Sequence, residues 1–491
     1  MFIPRFSIDA AMRRGRLAGI GLLALGLAGC AQFPSLDSLA VFKPAFEYQT
    51  NASFAAPQVV WPEDGWWRTY GDKQLDGLVE EALRDSPDMA AAAARLRRAE
   101  AAGLVAGAPL MPQVGGNASA TQQRQSYNYL TPASMTPEGW KDYGRATLDF
   151  SWELDFWGKN RAGLAAATSE VEARRAEVAQ ARLVLAANVA SAYAEMTRLF
   201  AARDTAARSV EVRAQTATLF AERFTNGLET RGSVRDAEAR RATAEGDLLA
   251  IDEQIGLQRN RLAALLGAGP DRGLSITRPV VRLEARPGLP GNLPAELIGR
   301  RPDVVAARLQ AEAQQRRIDQ KKAEFYPNVN LSAFIGLQSL GLDLLTKSGS
   351  TVGSIGPAIS LPIFTGGRLR GELRGSVATY EEAVANYNRT VTLALQEVAD
   401  AGLSQRALGG RLAKAEEAAD AAAEAHRVAR NRYEGGLSSY LEVLSAEDVL
   451  LNSLRSLSDL QSRAFALDVA LIRALGGGYR ETLHQTSESN T

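Results

Sequence analysis

Proline is absent from Gly158 to Gly269 and again from Ile363 to Thr491, and both stretches are built mainly from Ala, Glu, Arg, Leu and Gln. These residue types cost least in a helix and proline breaks it, so each stretch predicts helix over most of its length. Residues roughly 160–224 and 368–431 would each form a rod of about 65 residues, close to 100 Å at 1.5 Å per residue. Such rods need partners along their whole length. The breakers Gly227-Leu228 and Gly436-Leu437 reverse the chain, and helices over about 233–266 and 440–475 return from them. Shorter helices of roughly 22 to 24 residues start at Pro87-Asp88 and Pro302-Asp303, where Pro opens the first turn and Asp favours its positive end. Two shorter helices end to end match one long one.

The same order therefore occurs twice. Pro87-Asp88 answers Pro302-Asp303, Pro112 answers Pro327 and Glu81 answers Glu296, all at a spacing of 215 residues. Further on the spacing is 209: Arg223 to Leu228 answers Arg432 to Leu437, and Leu262, Leu266 and Gly267 answer Leu471, Leu475 and Gly476. So long a period marks a duplicated half, not a solenoid repeat.

Between the short and the long helix of each half the apolar period changes from about 3.6 to 2. Leu148, Phe150, Trp152, Leu154 and Phe156 alternate with Thr147, Asp149, Ser151, Glu153 and Asp155. Val329, Leu331, Ala333, Ile335 and Leu337 form a second run, and Ile355, Ile359, Leu361 and Ile363 a third. Strands of about ten residues suit a transmembrane barrel, and a soluble hairpin with one covered face is the alternative. The helices are committed to one another and leave no face to cover the strands. Four strands cannot close a barrel, so several chains must share one.

Arg5, Arg13, Arg14 and Arg16 precede an apolar run from Leu17 to Ala28, which reads as a secretory signal too short for a permanent span. It ends Leu27-Ala28-Gly29-Cys30, and Cys30 is the only cysteine. This resembles the bacterial lipobox, which implies cleavage before Cys30 and a covalent lipid on it; a free thiol near an ordinary cleavage site is the alternative. Ala31 in place of Asp favours outer-membrane sorting by the same analogy. Cleavage leaves 52 basic against 55 acidic side chains, a mildly acidic protein with no basic excess for nucleic acid.

With one cysteine and two histidines, neither a disulfide framework nor a structural zinc holds the fold. His426 sits in an Ala-rich helix and His484 in a polar tail, both read as solvent-facing. Gly158, Gly366 and Gly367 follow strands and precede helices, but no phosphate-loop pattern is complete, so they read as strand-to-helix hinges. No catalytic constellation is visible, and neither a cofactor nor a metal site is expected. Asp149, Glu153 and Asp155 wet one sheet face.

Trp152-Glu-Leu-Asp-Phe-Trp-Gly-Lys-Asn-Arg161, Arg300-Arg-Pro-Asp303, Ala323-Glu-Phe-Tyr-Pro327, Leu361-Pro-Ile-Phe-Thr-Gly-Gly-Arg368 and Arg432-Tyr-Glu-Gly-Gly-Leu437 resemble TolC-type outer-membrane efflux factors. The lipidated, NodT-like branch serving resistance-nodulation-division pumps is the most similar. The resemblance covers nearly the whole mature chain. It implies a mainly α fold with transmembrane β: a homotrimer whose twelve-stranded outer-membrane barrel continues into a long periplasmic α-helical barrel. It also implies a passive exit duct for drugs or other small molecules, docked to a periplasmic adaptor and an inner-membrane pump. The expected division is a signal segment 1–29, an N-terminal equatorial segment 30–86, a first repeat 87–269, an equatorial linker 270–301, a second repeat 302–476 and a flexible tail 477–491. Within the repeats, strands are expected over about 113–157 and 328–364, and helical hairpins over about 160–266 and 368–475.

By the same resemblance, the turns at Gly227, Leu228, Gly436 and Leu437 meet the adaptor and the family's constricting leucine falls on Leu441. The position one turn later, commonly Asp in relatives, is Ser445 here. Asp236 occupies the matching site of the first half, and Glu442 and Glu447 lie close by, so one of these could replace the missing acid. Ordinary helix packing is the other reading of Leu441. A lipid-anchored structural or adhesive coiled coil is the alternative to the duct.

Overall fold

The computed structural model describes residues 40–128, 132–282 and 288–481. The signal-like segment, Cys30 and His484 lie outside them. The first half runs β1 (Gln58–Val59), α1 (Lys73–Asp85), α2 (Pro87–Gly107), β2 (Gln113–Gln123), β3 (Lys141–Leu154), α3 (Lys159–Thr225) and α4 (Arg231–Leu265). The second runs β4 (Leu289–Pro290), α5 (Leu293–Arg300), α6 (Pro302–Ala323), β5 (Asn328–Leu340), β6 (Thr351–Ser360), α7 (Arg368–Glu434) and α8 (Tyr440–Ala474). Apart from a one-turn helix at Asp271–Leu274, the helices and strands of the two halves correspond in order, and β1 pairs with β4 in parallel.

Both α3 and α7 contain 67 residues, and both return helices contain 35. Their reversals are one turn written twice. Gly227 and Gly436 both take φ 73°, a left-handed conformation that costs glycine little. The Leu228 amide donates to the Arg223 carbonyl and the Leu437 amide to the Arg432 carbonyl, each at 2.8 Å. The glycine amides donate to Phe224 and Tyr433, each at 3.0 Å, completing Schellman caps that satisfy the last carbonyls.

The chain forms two compact units, and neither coincides with a sequence half. One takes Arg97–Glu172 and Arg308–Asn386, which include all four long strands; the other takes Phe42–Leu96, Ala173–Ala307 and the chain from Tyr387 on. In the first unit the strands form an antiparallel sheet in the order β2-β3-β5-β6. Register places Val114, Phe150, Ala333 and Ile355 in one row, and Gly116, Leu148, Ile335 and Gly353 in the next. This face is apolar and bare: Leu148 is 59% exposed and Ile355 78%. The opposite face is polar, with Asp149 accepting from Asn117 Nδ2 at 2.8 Å and from Thr147 Oγ1 at 2.9 Å.

Alternation outruns the ladder at both strand ends. Phe156, Leu361 and Ile363, expected within strands, lie beyond Leu154 and Ser360. The Phe156 amide turns back onto the Leu154 carbonyl at 2.9 Å, and Pro362 has no amide to extend β6. Asp155 is likewise a helix-start group instead of a sheet-face carboxylate: it accepts from the Arg161 amide at 2.8 Å.

In the second unit Trp66, Trp67, Tyr70 and Leu75 pack with Tyr193, Leu262 and Phe465 in a core below 4% exposure. The expected linker 270–301 contains β4 and α5, whose Leu289, Leu293 and Leu297 recur every four residues and are each 2% exposed in a second core with Val391 and Val398. Residues 477–481, expected in the flexible tail, pack against the rest of the second unit. Gly476, Gly477 and Gly478 run past Arg300, Leu183 and Glu63 too closely for any Cβ, and the Glu481 amide donates to the Gly299 carbonyl at 3.2 Å.

Candidate functional site

The two reversals enclose the third core of the chain. Phe220 of α3 is fully buried and meets Tyr433 of α7 and Tyr440 of α8 edge-on, at centroid distances of 5.4 and 5.7 Å. Val234, Val443 and Leu444 complete the cluster. The Arg223 guanidinium lies 4.4 Å from the centre of the Tyr433 ring. Apolar packing thus draws the end of one hairpin onto the other, and polar groups then fix their register.

Glu229, in the first reversal, is the main fixing group. Its Oε2 accepts from the Tyr433 hydroxyl at 2.5 Å; its Oε1 accepts from the Thr230 amide at 2.9 Å and from Ser233 Oγ at 2.8 Å. Burial raises the pKa of this carboxyl, but the three donors and Arg223 outweigh burial and hold it below the usual glutamate range. The same bond, with burial as the larger cause, pushes the Tyr433 hydroxyl well up.

Further along the helices two guanidiniums serve three carboxylates. Arg213 Nη2 pairs with Asp448 at 3.1 Å, while Arg240 pairs with Asp448 at 3.0 Å and with Asp236 at 3.1 Å. Glu447, 1% exposed, accepts from Thr216 Oγ1 at 2.8 Å. The chain thereby links α3, α4 and α8.

The residues singled out in the sequence divide accordingly. Leu441 is 61% exposed, while its neighbours Val443 and Leu444 fill the core, so Leu441 stands outside that core. Ser445 and Glu442 are exposed, and Glu442 stands 4.0 Å from Arg432. Asp236 is committed to Arg240. Glu447 points inward and cannot contribute to a ring facing water, which corrects that expectation. Leu228 and Leu437 project from the turns at 65% and 74% exposure. Gly158, Gly366 and Gly367 take φ of 76°, 60° and 88° between strand and helix. His426 is half-buried instead of solvent-facing, and burial followed by nearby Arg430 lowers its pKa.

Tyr433 and Glu229 were not singled out as a pair by sequence. Their only local signal is a tyrosine ahead of one Gly-Leu and a glutamate behind the other. Among the described residues no group of His, Cys, Asp and Glu has metal-ligand geometry, and no helix is long and apolar enough to cross a membrane. The bare sheet face is the surface that fits lipid.

A model of the outer membrane efflux protein family matches residues 78–268 and 293–477, one stretch in each half. The chain belongs to this family. The fusaric acid resistance protein FusA of Burkholderia cepacia is 38% identical over 369 residues, 73% of this chain and 69% of that one. The multidrug resistance outer membrane protein MdtP of Escherichia coli K12 is 32% identical over 427 residues, 86% and 87% of the two chains. The solved outer membrane protein VceC of Vibrio cholerae shares the fold with a TM-score of 0.81 and 50% identity, covering 85% of this chain and all of VceC. Like these relatives, this efflux protein resides in the outer membrane, and its long hairpins are the helical part that the family combines with a β part. The family consists of channel proteins, not enzymes.

Proposed function

We propose that this efflux protein is the passive exit duct of a tripartite pump, conducting drugs or other small molecules delivered by an inner-membrane transporter through a periplasmic adaptor. One observation carries the reading: a four-stranded sheet with one bare apolar face and, among the described residues, two unpaired edges, β2 and β6. In lipid an open edge leaves backbone groups unsatisfied, so edges of different copies must pair. Three copies give a closed twelve-stranded barrel. Exposed Phe156, Trp157 and Phe364, just past the strand ends, suit the interface between lipid and water. The sheet also counts against a purely coiled-coil envelope protein.

Leu228 and Leu437, presented by identical turns, are the adaptor contacts. Exposed Leu441 narrows the opening where three copies meet, with Glu442 the nearest exposed acid to take the role that Ser445 lacks. The covalent lipid on Cys30 adds an anchor that the barrel does not require. Direction and free energy come from the transporter, because the duct holds no cofactor or catalytic group of its own in this reading. Assembly is tested by electrophoresis without boiling and by circular dichroism: a heat-stable trimer with strand content supports the duct, and a monomeric all-helical protein contradicts it.

A further inference from the structure

Glu447 is the most deeply buried carboxylate of the network and has the poorest partners. It lies between α8 and α3 at 1% exposure. Oε2 has one neutral donor, Thr216 Oγ1. Oε1 faces Arg213 Nε at 3.5 Å, and that nitrogen makes no hydrogen bond. The other Arg213 nitrogens are spent, on Asp448 and on the Arg240 carbonyl at 3.2 Å. Arg240 of α4 is held by Asp236 and Asp448. The groups around Glu447 are therefore Arg213 and Thr216 from α3, Arg240 with its partner Asp236 from α4, and Asp448 from α8 itself. An ionised carboxylate so placed loses its hydration and recovers only part of it.

We propose that Glu447 makes the packing of α8 onto α3 pH-responsive: its negative charge loosens this contact near neutral pH, and taking up a proton tightens it. Burial acts as the largest influence on the carboxyl and raises its pKa, with Thr216 and Arg213 opposing. The packed state then binds the proton more tightly than an opened state in which water reaches Glu447. Falling pH consequently favours packing, through the packed-state pKa and down to the ordinary glutamate value of about 4.3. Glu229 has the opposite sign, but its depressed pKa delays its loss to lower pH. The functional consequence rests on the aperture reading above: mild acid holds the entrance shut, and near neutrality it yields more readily to a docked partner.

The test is hydrogen exchange of residues 440–450 in the intact protein, expressed as protection relative to the intrinsic rate at each pH. Protection should rise by more than about twofold from pH 7.5 to 5.5 in the wild type, because the packed carboxyl takes up its proton at a higher pH than an exposed glutamate. Glu447→Gln keeps the shape and the Thr216 bond without the charge, and should be well protected at both pH values, within about twofold. Thr216→Val should lower protection more at pH 7.5 than at 5.5. A flat or falling wild-type profile, or a Glu447→Gln protein that is less protected or fails to fold, would overturn the proposal. If exchange behaves as stated while channel opening ignores both pH and Glu447→Gln, the aperture reading has failed and the Glu447 proposal stands.

Discussion

The Tyr433 hydroxyl donates to the Glu229 carboxylate at 2.5 Å, joining the last turn of α7 to the reversal between α3 and α4 across 204 residues of chain. A carboxylate held below its usual pKa stabilises the folded state above the ordinary value and loses that contribution only as pH falls through the folded one. Tyr433→Phe leaves the ring and removes the bond. A hydrogen bond to a charged group contributes about 1.5–3 kcal/mol, reduced here because Glu229 is only half-buried. Faster limited proteolysis at Gly227 and Gly436 is the expected outcome; wild-type cleavage rates would show that the bond holds nothing together.

The sheet faces make a sharper prediction. Phe150 lies in the bare apolar row and Ser151 on the opposite face. Phe150→Arg or Ile355→Arg should impair membrane assembly, at about 2–4 kcal/mol for a charge near the bilayer midplane. Ser151→Arg should be milder. Leu361→Arg, just beyond β6, should fall between them, because the cost declines toward the interface. Equal trimer yields for Phe150→Arg and Ser151→Arg would mean that the faces are wrongly assigned.

Helix lengths, reversals and sheet faces were legible because each is set locally, by a breaker, a cap or a two-residue period. Strand ends were not. Alternation through Phe156 and Ile363 shows where a strand is permitted, whereas a ladder partner and an available amide decide where it stops. The helix α5 hid behind Pro294 and only eight residues. At the candidate site the turns followed from the Gly-Leu breakers, whereas Leu441 was singled out only by the family resemblance, which left its exposure open. Glu447 read as a candidate for an exposed acidic ring, because its burial depends on α3, 231 positions away, and nothing near it in sequence marks that contact.

Charge at the aperture is separable from charge within the network. Ser445→Ala removes no charge and should leave ion selectivity unchanged. Glu442→Gln should weaken cation preference if this exposed carboxylate faces the opening. Asp236→Asn loses a partner of Arg240 and should lower stability more than it alters selectivity. The opposite ranking, with Asp236→Asn shifting reversal potentials and Glu442→Gln silent, would move the acidic ring to the first hairpin.

Cys30→Ser should abolish incorporation of a radioactive fatty acid, since a hydroxyl cannot supply the thiolate for a thioether. Export function should survive, because a closed barrel holds the protein in the membrane whereas one acyl signal binds only marginally. A wild-type protein that takes up no label contradicts the lipobox.

The central claim, that this chain forms a duct narrowed at Leu441, is tested most directly by single-channel recording of the purified protein in planar bilayers. The account predicts discrete conductance steps, larger for Leu441→Ala because apolar bulk is removed at symmetric positions while trimer yield stays unchanged. Cysteine introduced by Leu441→Cys should crosslink protomers and block conductance if Cα atoms approach within about 7 Å. Absence of steps from a properly assembled trimer would contradict the duct itself, and steps that Leu441→Ala leaves unchanged would contradict the constriction.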